Sequence, residues 1–483
     1  MLQKNSVVKE LIKDSAWSVI GTVVSKTSLF LVWIIVARIL TSHEYGQFSI
    51  IKNTTFLFSE YIALSISVVV SKYVAECYNH DRLKLESYIF TFLVLSIVLG
   101  GLGSLLLYIF SSQISSELIK APELSQYIKC TSVVILVSVF NNCQLAILRG
   151  LGAFKTISLI NLYQVVFSFP AYVVCTYFCR LDGTIGGYVF YYIIICIITQ
   201  YKIRKIFAAE NIHPRGIITG HQLKNLFNFT MPYFFSVLIP MACQWLNEVL
   251  ISQSKSGFKQ MAFYSVSYTF QTLVVAATTV VCIPFVSKMV KYKNSSNNDL
   301  LEKINLYVPI FLVSIFSLPL ILFPELFVML YGSQYSSLVV YKTVSIMAFT
   351  TPFVIYRQSL SRLILVKDKQ LFYLLDTLIM GVIAVLLFHF YYVRYLAVGL
   401  AFTNLVVNIV SVVLFTPIYV RIRLLKRDYL KSKIIVACVI TIAISIVACL
   451  VFMHVIVLRI VILLISLFSL LFILQQERKK NYV

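Results

Sequence analysis

Charged residues are scarce in this 483-residue chain, at 12%, and acidic residues are scarcer still, with 19 Asp and Glu against 41 Lys and Arg. Soluble globular proteins carry about a quarter of their residues as charged side chains. Hydrophobic residues reach 59% here, and the mean hydropathy is +0.89. This composition excludes a chain surrounded by water and excludes a disordered chain. It predicts an integral membrane protein.

Apolar stretches of about 20 residues, the length that crosses a bilayer as a helix, recur along the whole sequence. We predict an all-α polytopic fold with about fourteen spans, at 15–40, 47–70, 88–110, 124–148, 157–179, 182–203, 226–251, 261–286, 304–330, 338–360, 371–390, 397–419, 434–453 and 456–474.

The basic residues that give the net charge of +22 are unevenly distributed among the loops. If the N-terminus is cytoplasmic, the loops on that side and the C-terminal tail carry 29 of the 41 Lys and Arg, against about 6 in the opposite loops. Such a bias orients membrane proteins. It predicts a membrane protein with both termini in the cytoplasm, and nucleic acid is not an expected partner.

The two halves of the chain show a weak internal repeat. The segment QLAILRGLGAFK at 144–155 matches QSLSRLILVKDK at 358–369, an offset of 214, and Phe48-Ser49 matches Tyr264-Ser265 at an offset of 216. Because six spans is an even number, two six-helix lobes would be related by a pseudo-two-fold axis along the membrane normal. The predicted divisions are an N-terminal lobe (1–203), a basic cytoplasmic linker (204–225), a C-terminal lobe (226–420), and two extra helices with the tail (421–483).

Motifs that hold nucleotides or metals are absent from the sequence. There is no Walker sequence and no His/Asp cluster with metal-ligand spacing, and the ten cysteines are scattered. We therefore predict no metal site and no cofactor.

Several segments carry a family resemblance. They are ARILTSHEYGQFSI after span one, LRGLGAFKTISLIN between spans four and five, LFNFTMPYFFSVLIP in span seven, and VMLYGSQYSSLVVYK after span nine. The chain resembles the bacterial polysaccharide-biosynthesis flippases, which translocate O-antigen and capsule repeat units and belong to the multidrug/oligosaccharidyl-lipid/polysaccharide exporter superfamily. It departs from them after Arg38, where Ile-Leu-Thr-Ser replaces the Leu-Gly of many members.

This resemblance implies two six-helix bundles that face a central cavity, and no enzymatic activity. It implies an undecaprenyl-pyrophosphate-linked oligosaccharide as cargo, moved to the periplasmic leaflet by alternating access. The implied partners are membrane lipids, with a polysaccharide polymerase and a chain-length regulator as candidate partner proteins.

Cations within or beside the spans are the candidate pyrophosphate ligands. A charge in hydrocarbon is costly, so charged residues there are commonly functional. We assign them as Lys26, Arg38, Lys52, Arg149, Arg357 and Arg362. Alternative interpretations stay open. Lys26 would instead balance Glu60. The alternative for Lys52 and Arg38 is that they reach toward headgroups. Positive-inside anchoring is the alternative for Arg149, Arg357 and Arg362.

Three carboxylates are candidates for ion coupling or gating: Glu60, Glu248 and Asp376. Glu60 lies with Asn53 and Ser67 at i, i+7 and i+14, on one helix face, and would couple transport to H⁺ or Na⁺. Asp376 would pair with Arg357 or Arg362. The sugar-facing candidates are Tyr264, Tyr268 and Gln271, whose helical spacing is equally typical of packing.

Two rival functions remain at this point. A drug or ion antiporter of the same fold would favour an acidic cavity for organic cations, whereas this interior is rich in cations. A membrane polymerase or glycosyltransferase would need a large outer loop, and the outer loops here are about 14 residues or fewer.

Topology gives the first testable prediction. A cysteine placed at Ala208, in the predicted linker, should react with a membrane-impermeant thiol reagent only when the cytoplasmic face is accessible. The reason is that the basic loops orient the chain with this linker in the cytoplasm. Labelling of single-cysteine variants on a cysteine-depleted background measures this. Labelling at Ala208 from the periplasm would contradict the fourteen-span arrangement.

Overall fold

Apolar spans fold as helices because hydrocarbon offers no partner for backbone N–H and C=O groups. A computed structural model describes residues 23–78, 81–216, 220–291, 298–367, 369–430, 433–451 and 456–480. Every regular element in these ranges is helical, which confirms the predicted all-α fold. The first residues of predicted span one, 15–22, lie outside the described residues.

The first compact unit runs to Ala262. Its helices are α1 at 23–39, α2 (Ser42–Tyr78), α3 (Arg82–Gln113), α4 (Ser125–Gly150), α5 (Phe154–Ser168), α6 (Cys175–Ala209) and α7 (Gly220–Ser252). Helix α2 is central, since it packs against α3, α4, α6 and α7. A π-helical stretch, Phe169–Val174, joins α5 to α6 and contains Pro170, whose missing N–H breaks the regular ladder.

The second compact unit begins at Phe263, within α8 (Gly257–Lys291). It continues with α9 (Asn298–Leu322), α10 (Pro324–Val328), α11 (Leu338–Val366), α12 (Gln370–Arg421), α13 (Arg427–Leu430), α14 (Lys433–Val451) and α15 (Ile456–Lys480). Helix α9 packs against α11, α14 and α15. The unit boundary thus lies inside α8, whereas the predicted lobes divide in the linker at 204–225; that lobe division stays a prediction.

Each of the fourteen predicted spans coincides with a helix or a helix pair. Eight segments of the described chain are long and apolar enough, by length and composition, to cross a membrane. One of them, Phe154–Ala209, has 56 residues and contains two predicted spans. Shorter apolar helices at Ile435–Ser445 and Ile456–Leu470 correspond to the last two spans.

Helix α2 begins with a capping box. The Thr41 N–H and hydroxyl both donate to Glu44 Oε2 at 2.8 Å, and the Glu44 N–H donates to the Thr41 hydroxyl at 3.2 Å. Arg180 at the α5–α6 end also binds Glu44, with Nε at 2.8 Å from Oε1 and Nη2 at 2.7 Å from Oε2. The Arg180 hydrogen bonds lower the pKa of Glu44 to about 2. This pair fixes the start of α2 to the bend before the main part of α6.

The internal repeat is visible in the backbone. Helix α6 bends at Arg180, with φ 47° and ψ −124°, and α12 bends at Leu396, with φ 42° and ψ −112°. These positions are 216 residues apart, the offset indicated by the Phe48 and Tyr264 match. Helices α3 and α9 begin at the same offset, as do α5 and α12. Two units with the same bend at the same position share one folding pattern.

The bend at Leu396 gives a stability prediction. A positive φ costs a non-glycine residue of order 1 kcal/mol, which glycine avoids. Leu396→Gly should therefore raise the free energy of unfolding by about 1 kcal/mol, measured by thermal unfolding of the detergent-solubilised protein. The matched control Ala397→Gly, in regular helix, should lower it by about the same amount. Equal losses in both variants would show that the bend carries no strain.

Candidate functional site

A polar column follows α2 through the first unit. Asn53 Nδ2 donates to Glu248 Oε2 on α7 at 2.8 Å, and Ser67 Oγ accepts a hydrogen bond from Arg149 Nη1 on α4 at 3.0 Å. Glu60 lies between them on the same face. At about 1.5 Å rise per residue, the fourteen residues from Asn53 to Ser67 span roughly 21 Å, most of a hydrocarbon core about 30 Å thick.

Glu60 lies within electrostatic range of two cations, Lys26 on α1 and Arg149 on α4. It also acts electrostatically on two tyrosines of α6, Tyr188 and Tyr192. Lys26 and Arg149 are exposed, whereas Glu60 is half-buried. We call Lys26, Glu60 and Arg149 the α2 charge cluster. Two accessible cations with one carboxylate leave an excess of positive charge.

Glu248 is held differently. Only 5% of its surface is exposed, and its two oxygens accept hydrogen bonds from amides, Asn53 on Oε2 and Gln244 on Oε1 at 3.0 Å. Lys52 acts on Glu248 through space, but its Nζ lies 5.0 Å from the centre of the Trp33 ring. A cation over an indole ring is stabilised without a carboxylate contact. Lys52 is half-buried at this position.

The second unit contains its own buried carboxylate, Asp376, which is 2% exposed. Arg357 Nη2 lies 3.4 Å from Asp376 Oδ1, and the same guanidinium donates to Asn408 Oδ1 at 3.1 Å. Ser411 Oγ donates to Asp376 Oδ1 at 2.7 Å, and the Tyr419 hydroxyl donates to Oδ2 at 3.3 Å. Of the two predicted partners, Arg357 is therefore the one in contact with Asp376.

Arg362 belongs to a separate hydrogen-bonding group in the second unit. Its Nε donates to Asn305 Oδ1 and its Nη2 donates to Ser359 Oγ, both at 2.8 Å. Asn305 in turn donates to the Ser359 carbonyl at 2.9 Å. These contacts fix the Arg362 side chain against α9. Arg38, by contrast, is exposed at the end of α1.

The three sugar-facing candidates differ in accessibility. Tyr264 is 1% exposed and its hydroxyl accepts a hydrogen bond from Asn404 Nδ2 at 2.9 Å. Gln271 is 6% exposed and donates to the Met347 carbonyl at 3.2 Å. Tyr268 is 43% exposed and stacks on Tyr264 with ring centres 6.0 Å apart. Of the three, Tyr268 alone presents a large surface, and the sugar-facing role stays a prediction.

Sequence reasoning missed most of the partners. Trp33, Tyr188 and Tyr192 lie in apolar sequence that gives no sign of a charged neighbour. The polar face of α12 did leave a signal, because Asn404, Asn408 and Ser411 are spaced i, i+4 and i+7, and Ser411 binds Asp376. Within the described ranges, no three His, Cys, Asp or Glu residues are grouped to hold a metal.

Known structures share this fold. The chain is similar to the lipid II flippase MurJ in its inward closed conformation, with TM-score 0.72 and 15% identity, over 96% of this chain and 99% of that one. It is similar to an inward-facing MATE family multidrug resistance transporter, with TM-score 0.64 and 15% identity over 85% and 96% of the two chains. The chain is also similar to a MOP superfamily transporter from Pyrococcus furiosus, with TM-score 0.60 and 16% identity, over 85% of this chain and 95% of that one.

The fold is therefore that of a MOP superfamily transporter, in a multi-pass membrane protein. A family model described as polysaccharide biosynthesis protein matches residues 11–290, more than half of the chain. The chain belongs to this family, as the segments at 37–50 and 148–161 indicated. No curated protein matches it by sequence.

The Asp376 network gives a third prediction. Arg357→Met removes the cation and leaves a buried carboxylate with hydroxyl and amide neighbours, so the free energy of unfolding should fall by about 3 kcal/mol. Thermal unfolding in detergent measures this. Arg357→Met combined with Asp376→Asn should lose less, since no charge is stranded.

The control for that experiment is Arg394→Met, an exposed arginine on the same helix as Asp376. It should leave the unfolding temperature close to that of the wild type. An Arg357→Met variant as stable as this control would mean that the ion pair does not compensate the Asp376 charge.

Proposed function

We propose that the protein is a flippase that moves undecaprenyl-pyrophosphate-linked oligosaccharide repeat units, for O-antigen or capsule, from the cytoplasmic to the periplasmic leaflet of the inner membrane. Membership of the polysaccharide biosynthesis family and the MOP transporter fold support a lipid-linked cargo. No catalytic step is part of the proposal. The mode of action is alternating access.

The α2 charge cluster is the observation that carries the proposal. Lys26 is exposed although it lies within predicted span one, and the exposed Arg149, at the end of α4, acts on the same carboxylate, Glu60. A cation facing hydrocarbon costs several kcal/mol, so accessible cations beside a carboxylate indicate a water-filled surface. An excess of cations on such a surface suits an anionic headgroup such as pyrophosphate.

Cargo would bind by replacing Glu60. In the structure the two cations are partly neutralised by this one carboxylate, which limits their attraction for other anions. A pyrophosphate presents several charged oxygens, which both Lys26 and Arg149 can bind together, Arg149 with its planar donor fork. Ser67 already orients that guanidinium at 3.0 Å.

Ion coupling follows from the same competition. If Glu60 takes up a proton, it becomes neutral and no longer attracts Lys26 and Arg149. Both cations are then available to bind cargo. Proton uptake would then accompany binding, and proton release would accompany delivery. Glu248 also has a cation in electrostatic range, Lys52, but both of its oxygens accept hydrogen bonds from amides, so it is the weaker candidate for coupling.

Surface glycan in a strain lacking the gene tests the flippase proposal. The strain should accumulate lipid-linked repeat units on the cytoplasmic side, and the wild-type protein should restore surface glycan. Lys26→Ala and Arg149→Ala should each lower restoration about tenfold or more at equal membrane abundance, since each removes a charge-assisted contact. Lys26→Arg should retain part of it.

Two further variants separate the cargo role from a structural ion pair. If Lys26 only balances Glu60, Lys26→Ala combined with Glu60→Ala restores transport; under the proposal this double variant accumulates but transports poorly. Lys155→Gln, which changes an exposed cation on α5, is the control and should transport normally. Normal periplasmic delivery of repeat units in the deletion strain would reject the flippase, and would favour the antiporter of the same fold.

A further inference from the structure

The connector that follows α6 is held against the start of α3. Glu86, in the second turn of α3, is 4% exposed, and its Oε1 accepts the His213 N–H at 2.9 Å. Arg215 Nε lies 3.3 Å from Glu86 Oε2. One turn earlier, Arg82 donates to the carbonyls of residues 210 and 211, the latter at 2.7 Å.

The second unit has a similar arrangement, in which the carboxylate reaches the connector through a lysine at the end of α11. Glu302 is 3% exposed and occupies the fifth position of α9, as Glu86 does in α3; the two are 216 residues apart. Lys367 Nζ lies 2.8 Å from Glu302 Oε1 and donates to the Leu424 carbonyl at 2.9 Å, in the connector after α12. Asp299 binds Lys426 of the same connector at 2.5 Å.

The connectors themselves are alike. Each leaves its helix through a residue with positive φ two positions after the helix ends, Asn211 at 53° and Arg423 at 58°. Such residues end helices and leave backbone groups that need partners. Glu86 binds the His213 N–H, Arg82 binds the carbonyl of residue 211, and Lys367 binds the Leu424 carbonyl. A buried carboxylate is costly unless paired, so its presence at the same place in both units needs a common purpose.

We propose that Glu86 and Glu302 are repeated latches, each holding the connector after a bundle to the third helix of that bundle. The first connector, 210–216, precedes α7, and the second, 422–426, precedes the C-terminal helices α13–α15. Each latch makes its connector part of its own unit and so sets where the next helix begins. The proposal does not depend on the identity of the cargo.

Hydrogen–deuterium exchange of the full-length protein in detergent tests the latches. Glu86→Gln keeps an acceptor for the His213 N–H but loses the charge that attracts Arg215, so exchange in peptide 206–216 should rise about tenfold. Exchange in peptide 421–427 should not change. Glu302→Gln should produce the reverse pattern. The control Glu76→Gln, an exposed carboxylate on α2 with a 4.0 Å contact to Lys72, should change neither peptide.

Arg215→Gln provides a second route to the same answer. The Arg215 side chain is 73% exposed, so this variant is expected to fold even if Glu86→Gln does not accumulate. Its effect on peptide 206–216 should be smaller, about threefold, because an exposed partner contributes less. Unchanged exchange in both Glu86→Gln and Arg215→Gln would overturn the proposal. Faster exchange in both connectors from either variant alone would also overturn it, since that pattern means general loosening.

Discussion

A carboxylate placed among membrane-spanning helices must receive its hydrogen-bond donors from the protein, because hydrocarbon supplies none. Two carboxylates of this chain meet that requirement by hydrogen bonds, and a third lies near cations. Glu248 accepts from two amides, Asp376 combines one guanidinium with two hydroxyls, and Glu60 interacts electrostatically with Lys26 and Arg149. The hydrogen bonds link α2 to α7 in one unit and α11 to α12 in the other.

The three solutions differ in what they leave available. The amides and hydroxyls that bind Glu248 and Asp376 carry no charge, Lys52 near Glu248 lies over the Trp33 ring, and Arg357 is also bound to Asn408. Lys26 and Arg149 are different because both are exposed and both interact with one carboxylate. Under the proposed function, a protonation or a competing anion would therefore change more at Glu60 than at either other carboxylate.

The helices could be predicted from the sequence because an apolar span in lipid must satisfy its backbone hydrogen bonds internally, and a helix does so. The polar face of α2 could be predicted for the same reason, since its spacing is helical. Partners across helices could not: Trp33 beside Lys52 and Tyr192 near Glu60 depend on helix rotation, which apolar sequence does not encode locally. The bend at Arg180 lies where the sequence predicts the break between spans five and six, but its positive φ could not be predicted, because the residue there is not glycine.

The repeat separates features of the fold from features of the chemistry. At an offset of 216, Arg180 pairs with Leu396 as a bend and Glu86 pairs with Glu302 as a buried carboxylate, so the backbone turns and the connector contacts recur. Three interior charges do not recur at this offset. Glu60 corresponds to Ala276, Lys26 to Ala242, and Asp376 to Ile160. A contact that both units need for folding would be expected in both, whereas a charge found in one unit has a task that the other lacks. This reasoning supports the proposed transport role of Lys26 and Glu60 and the proposed architectural role of the repeated glutamates.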